Sequence, residues 1–220
     1  MSDILVIRTH GYMQSWGVGD TKNYRLTQPY PTKSGIIGLC CCALGINPKK
    51  HVARYSTFLK EFKKVEFMVR CDKSGSILRD YQNSSGFMTL NGNWTPAYKD
   101  KNIQSYRYYI FGGDFSIALK GNEEFLKIIY NALRNPRWNL FLGRNCCLPA
   151  SQLADKYFEN VEQELIDFMK QYNMERCKSK MIVREVPLNE IGIKIYDEPI
   201  GLNWDGNLQY SFRNIRIETF

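Results

Sequence analysis

The chain has 220 residues, 44% hydrophobic and 24% charged, with 30 Lys+Arg against 22 Asp+Glu and a formal net charge of +8. That length suits one large domain or one domain with a smaller appendage, and the apolar and aromatic content excludes intrinsic disorder. No apolar run approaches the roughly 18 residues that a membrane-crossing helix needs. The opening MSDILVIRTHGYMQSWG is unlike a signal or transit peptide, so a cytoplasmic protein without membrane association is expected.

The charge is unevenly distributed. Residues 1–150 carry 21 Lys+Arg and 10 Asp+Glu, a net of +11, whereas residues 151–220 carry 9 and 12, a net of −3. A one-sided positive field favours a polyanionic partner, nucleic acid first and an anionic membrane second, although a basic surface can also serve solubility alone. Cys40, Cys41, Cys42, Cys71, Cys146, Cys147 and Cys177 have none of the paired CxxC or HxxxH spacings of a zinc site. They read as small buried thiols in a reducing compartment, with neither metal nor cofactor implied.

In chain order, ILVIRT at 4–9 predicts a buried strand, running into an irregular glycine-rich loop, HGYMQSWGVGD. After Pro29 and Pro31, TKSGIIGLCCCALGI predicts a helix with Ser34 as a candidate cap and Gly45 at its end, packing closely on a sheet through Gly35 and Gly38. A second helix over PKKHVARYSTFLKEFKK and a strand in VEFMVRCD follow. Then come a strand at 115–119 and a helix over EEFLKIIYNALRN, where Phe125, Ile128, Ile129, Ala132 and Leu133 recur with helical spacing. Residues 139–142 (NLFL) predict a short closing strand.

The order strand, helix, strand, strand, helix, strand predicts an α+β fold with a ferredoxin-like, RNA-recognition-type palm over residues 1–150. Residues 76–110 exceed what that palm requires. With LNGNW as a turn signal flanked by Tyr, Thr and Phe, they predict an inserted β-hairpin arm. Residues 151–220 form a small C-terminal subdomain or extension in this reading, with DKYFENVEQELIDFMKQYN helical and KMIVREV, GIKIYDEPI and QYSFRNIRIE as strands.

Three segments would gather at one sheet edge: Gly11, Met13, Gln14, Trp16 and Gly17; Pro31, Thr32, Lys33, Ser34 and Gly35; and Gly143, Arg144 and Asn145. Glycine-rich turns and helix starts offer amides to phosphate, Lys33 and Arg144 supply charge, and Trp16 or Met13 can pack on an unstacked base. Each also has a structural reading: Trp16 and Met13 as core caps, Gly35 as a packing contact, Arg144 as an ion-pair partner. TKSG is not a nucleotide-binding P-loop, because Gln28 stands where its first glycine belongs.

These residues carry a family resemblance. MQSWG from 13, PTKSGIIGL from 31, VRCD from 69, LRDY from 78, IQSYRYY from 103 and PRWNLFLGR from 136 occur in order over most of residues 1–150 and resemble the CasD subunits of type I-E CRISPR Cascade complexes. The resemblance implies a non-catalytic RNA-binding subunit that caps the 5′ handle of CRISPR RNA. It implies a palm, and a β-hairpin thumb folding over the guide. It further implies contacts with the backbone subunit CasC and the large subunit CasA, and association with target DNA only through the complex. By position, the Gly11–Gly17 loop and the Thr32–Ser34 turn would grip the handle, with Arg79, Tyr81 and Arg107 near the thumb base. Asn145 departs from the family pattern, in which a second arginine follows Arg144.

A metal-independent endoribonuclease that processes precursor RNA is the main alternative. Such cleavage needs a base and an acid close together, and only His10 and His51 exist. His10 ends the first strand within conceivable reach of Lys33 or Tyr30, whereas His51 reads as a surface residue. A protein scaffold whose basic face meets an acidic partner is the second alternative.

Overall fold

A computed structural model describes residues 2–17, 23–84, 87–88, 94–95 and 103–220. The first strand, β1 (Ser2–His10), is buried on both faces: Ile4 and Val6 point to one core, Leu5 and Ile7 to the other. That explains why it reads as a continuous apolar run and not as an alternating one. β1 lies in an antiparallel seven-stranded sheet with β4 (Glu66–Lys73), β9 (Asp114–Gly121), β10 (Ala154–Val161), β11 (Met181–Val186), β12 (Ile193–Leu202) and β13 (Leu208–Thr219). The spatial order is β10-β1-β9-β4-β11-β13-β12.

Three helices, α1 (Lys33–Leu44), α2 (Val52–Phe62) and α3 (Glu123–Arg134), contribute to the larger core. Thr32, not Ser34, caps α1: its hydroxyl accepts from the Gly35 amide at 3.2 Å. Gly45 closes the helix at φ 68°. Helix α2 buries Tyr55, Phe58, Leu59 and Phe62, a stripe with 3.6-residue spacing. In α3 the inward row is Leu126, Ile129 and Leu133; Ile128, one position off that stripe, is half exposed. The opposite sheet face carries α4 (Leu165–Gln171), whose Leu165, Phe168 and Met169 meet Ile4, Val6, Met68, Ala118 and Ile182.

A second sheet is built on β8 (Ile103–Phe111). It pairs antiparallel with β5 (Ser76–Ser84) on one side and, on the other, with β2 (Met13–Gln14) and, in parallel, β3 (Tyr24–Arg25). A two-stranded ladder joins β6 (Phe87–Met88) to β7 (Trp94–Thr95). The turn expected within LNGNW falls on residues 90–93, outside the described residues.

Two segments depart from expectation. Residues 139–142 form no strand: the Leu142 amide donates to the Cys147 carbonyl and its own carbonyl accepts from Ser15, so the backbone is satisfied by single contacts and not by a ladder. The place beside β1 goes to β10 instead, in a stretch whose acidity suggested a helix. The open edge of β1 supplies a partner for its backbone, and this tertiary pairing overrides the local pattern. The helix begins only at Leu165. Residues after 151 thus place β10 on one flank of the common sheet and β11, β13 and β12 on the other.

Beneath α4 a buried polar chain ties these parts together. Arg70 donates to Asp72 at 2.7 Å and to the carbonyls of Met169 and Tyr172, and the Ser116 hydroxyl donates to Asp72. Arg176 reaches Asp155 at 2.7 Å, where the Tyr172 hydroxyl also donates, at 2.8 Å. Burial by itself raises the Asp155 carboxyl, but the bonds from Arg176 and Tyr172 outweigh it and hold it below its ordinary value. A depressed carboxyl contributes stability that is present above the unfolded pKa and lost as pH falls through the folded one. Asp155→Asn is therefore expected to flatten the acid limb of a urea-midpoint-versus-pH curve just below the ordinary carboxylate range; an unchanged limb would remove this pair from the acid response.

Candidate nucleic-acid interface

The three segments singled out from sequence do converge, together with the base of the second sheet, around an open cleft of about 890 Å³. Its wall comprises Ser15, Trp16 and Gly17; Thr32, Ser34 and Gly35; Gly143, Arg144, Asn145 and Cys146; Arg25 and Arg107; and, from the C-terminal strands, Tyr196 and Tyr210. Two glycines permit the convergence. A Cβ at Gly35 would stand 2.7 Å from the Trp16 ring, and one at Gly143, where φ is 97°, would stand 1.7 Å from the Ser15 carbonyl oxygen. Gly35 thus packs on Trp16, not on the sheet, and Gly38 has open space beside it.

The motif residues divide into those that face the cleft and those that hold its wall. Gln14 is fully buried: its amide nitrogen donates to the Thr9 and Gly113 carbonyls at 3.1 and 2.8 Å, and its amide oxygen accepts from the Trp16 indole at 3.1 Å. Trp16 is 1% exposed and packs into the core. Met13 pairs with Phe111 and packs against the same core, and Gly11 lies tight against the Leu148 carbonyl.

Lys33 points inward. Its ammonium sits 2.8 Å from Glu185 and 3.2 Å from Glu198, while its backbone amide, the first of helix α1, donates to Asp197 at 3.0 Å. Asp197 in turn receives both Nε and Nη2 of Arg213, at 2.6 and 2.9 Å. A protein carboxylate therefore already occupies the anion position at this helix start. Thr32 and Ser34 flank it on the cleft wall.

Three arginines remain. Arg144 lies 4.7 Å over the Tyr109 ring and donates to the carbonyls of Tyr108 and Arg25, which clamps the 143–146 turn to β8 and β3. Arg25 and Arg107 are register partners in β3 and β8 and line the cleft together. Among the described residues none of the three forms an ion pair, and the buried Nε of Arg107 has no hydrogen-bond partner. Among the described residues no carboxylate lines the cleft.

Arg79 and Tyr81 lie elsewhere. Their β5 neighbour Asp80 is registered with Arg107, so strand alternation directs Arg79 and Tyr81 to the other face. There Arg79 stands 5.3 Å over Tyr106, whose ring is 5.4 Å from Tyr81 and stacked at 5.1 Å on Tyr24. His10 and His51 are absent from the cleft wall. The His10 carbonyl accepts from Ala150, and His51 precedes α2 with its Nδ1 accepting from the Asn47 amide.

Sequence reasoning missed Arg25, Cys146, Tyr196 and Tyr210. Arg25 stands alone in a polar stretch that carries no motif. The two tyrosines belong to a segment whose negative sum argued against RNA, yet Glu185, Asp197, Glu198, Asp155, Glu190 and Glu218 of that segment are ion-paired.

The architecture and cleft define a mixed α+β protein with an open cleft lined by arginines that form no ion pair among the described residues. Over residues 4–205 the chain matches the family described as CRISPR-associated protein (Cas_Cas5), and it belongs to that family. It is similar to the CRISPR system Cascade subunit CasD of Escherichia coli (strain K12), 30% identical over 158 residues that make up 67% of each chain. Among solved structures it is similar to a chain of a CRISPR RNA-guided surveillance complex, with a TM-score of 0.74 at 26% identity, covering 98% of this chain and 89% of that one. It is also similar to a Cas protein crystal structure, with a TM-score of 0.66 at 27% identity, covering 98% and 94%. Among the described residues no helix is long and apolar enough to cross a membrane, and no cluster of potential metal ligands occurs.

All seven cysteines are free, and only Cys146 is exposed. Burial pushes the Cys41 and Cys147 thiols up to about 12 and raises Cys40, Cys42 and Cys71 as well. A maleimide at neutral pH is expected to modify Cys146 first, and a polyanion seated in the cleft to slow that reaction. Equal labelling rates with and without bound RNA would place the polyanion elsewhere.

Proposed function

We propose that the chain is a non-catalytic RNA-binding subunit of a type I-E CRISPR Cascade surveillance complex and caps the 5′ handle of the CRISPR RNA. One observation carries this reading: an open cleft of about 890 Å³ lined by Arg25, Arg107 and Arg144, none of which forms an ion pair among the described residues. Family membership and the resemblance to CasD support the same assignment. In this reading β1, β9 and β4 with helices α1 to α3 belong to a ferredoxin-like palm over residues 1–150 whose outer strand, β10, is supplied from residues 154–161, and β5 and β8 are the stem of a thumb over 76–110. The remainder, 151–220, buttresses the palm. The backbone subunit CasC and the large subunit CasA are the protein partners, and target DNA is reached only through the complex.

The division of labour follows from the geometry. Phosphates lie along Arg25, Arg107 and Arg144, whose charges would otherwise be solvated. The partly exposed Ser34 offers its hydroxyl to phosphate or to the 2′-OH that distinguishes RNA from DNA, while Thr32, only 1% exposed, caps α1. Gln14, Trp16 and Lys33 act from behind, by holding the loops that carry those groups. Cleavage is assigned to another subunit, in keeping with two histidines that stand apart from the cleft.

Binding of single-stranded RNA releases about 0.7 counterion per phosphate neutralised. Replacing Arg25, Arg107 and Arg144 together by Ala is thus expected to weaken handle binding and to reduce the slope of log K against log salt by about 2. Filter binding of the full-length chain to labelled handle RNA reads both. A native slope in the triple variant, or discrete cleavage of repeat RNA in EDTA that His10→Ala abolishes, would overturn the proposal.

A further inference from the structure

The cleft has an aromatic wall that the charge distribution conceals. Asp197 is drawn to the Lys33 amide at 3.0 Å, so its neighbour Tyr196 is carried beside the Thr32–Ser34 turn. The Tyr196 ring lies 4.8 Å from Phe212, tilted by 56°, and 6.1 Å from Tyr210. Tyr196 and Tyr210 both line the cleft, yet Tyr196 is 53% exposed and Phe212 60% exposed. Tyr196 and Phe212, grouped with the partly buried Tyr210, leave uncovered aromatic area in water beside cationic groups.

We propose that Tyr196 and Tyr210, with Phe212 behind Tyr196, form a stacking subsite for an unpaired nucleobase of the RNA whose phosphates the arginines hold. The inference rests on the RNA-binding reading above and adds the C-terminal strands to the interface. The occupant is set by continuity: Ser34 and Tyr196 share one cleft with Arg25, Arg107 and Arg144, so a strand tied by its phosphates lies within reach of the rings. Splayed bases of single-stranded RNA stack on tyrosine and phenylalanine without sequence preference, because every base presents a π-face. The acids of the same strands do not oppose this. Asp197 and Glu198 are turned to Arg213 and Lys33, which leaves the rings without a competing negative charge at the wall.

Stacking moves no counterions, and this separates the subsite from the arginines. With handle RNA carrying 2-aminopurine at successive positions, the full-length chain is expected to quench the probe at one or two of them. Tyr196→Ala and Tyr196→Ala/Tyr210→Ala are expected to relieve that quenching and to weaken binding roughly five- to tenfold, with the salt slope unchanged. Tyr196→Phe/Tyr210→Phe, which keeps the rings and controls for folding, is expected to retain both. Native quenching and affinity in the alanine variants, while the arginine triple variant still loses affinity and slope, would overturn the subsite and leave the RNA-binding reading standing. Native binding in the tyrosine and arginine variants alike would overturn both.

Discussion

One buried network decides where the functional wall stands. Lys33, Arg213, Glu185, Asp197 and Glu198 join the first turn of α1 to β11, β12 and β13 across some 150 to 165 positions of sequence. Two cations and three carboxylates are satisfied mutually, and the Lys33 amide donates to the same carboxylate that receives Arg213. Such a network adds little stability relative to an apolar replacement, but removing one member leaves buried charge uncompensated, at a cost of about 3 to 5 kcal/mol. Its worth here is positional. It keeps Thr32 and Ser34 on one side and Tyr196 on the other at a fixed distance, so the cleft exists before any ligand arrives.

The remainder of the cleft is organised around that fixed edge. Gln14 joins Thr9, Gly113 and Trp16, which fixes the loop that follows β1; Trp16 lies under Gly35, and Gly143 admits the Ser15 carbonyl. Arg144 then bridges the 143–146 turn to β8 and β3. Preorganisation of this kind matters for a polyanion, since the arginines need not be gathered during binding. The base of the second sheet contributes Arg107 and Arg25 to the same wall, while its other face keeps the Tyr24, Tyr81 and Tyr106 cluster away from the cleft.

Much of the scaffold was legible in sequence because its signals are local. The apolar run of β1, the glycine stop of α1, the presence of helices at α2 and α3 and the strands of β4 and β9 all follow from short-range pattern, whereas the α1 cap fell on Thr32 and not Ser34 and the inward row of α3 excludes Ile128. The closing strand at 139–142 did not follow, because a four-residue apolar run cannot distinguish a ladder from single backbone contacts. The edge strand β10 was hidden by its acidity, since pairing with β1 is a tertiary event. At the site, the three convergent segments were legible and the direction of their side chains was not. Lys33, Gln14 and Trp16 carry chemistry suited to RNA, yet all three are buried. Charge sums failed for a related reason: a net of −3 over residues 151–220 does not reveal that the acids nearest the cleft, Glu185, Asp197 and Glu198, are engaged in ion pairs.

The central claim, that the buried network sets the cleft without itself touching the ligand, is open to one direct measurement: the salt dependence of handle-RNA binding by full-length Asp197→Ala. Affinity is expected to fall by about tenfold or more with the log K against log salt slope intact, because the wall shifts but no phosphate contact is removed. Native affinity, or a slope that falls along with it, would contradict the claim.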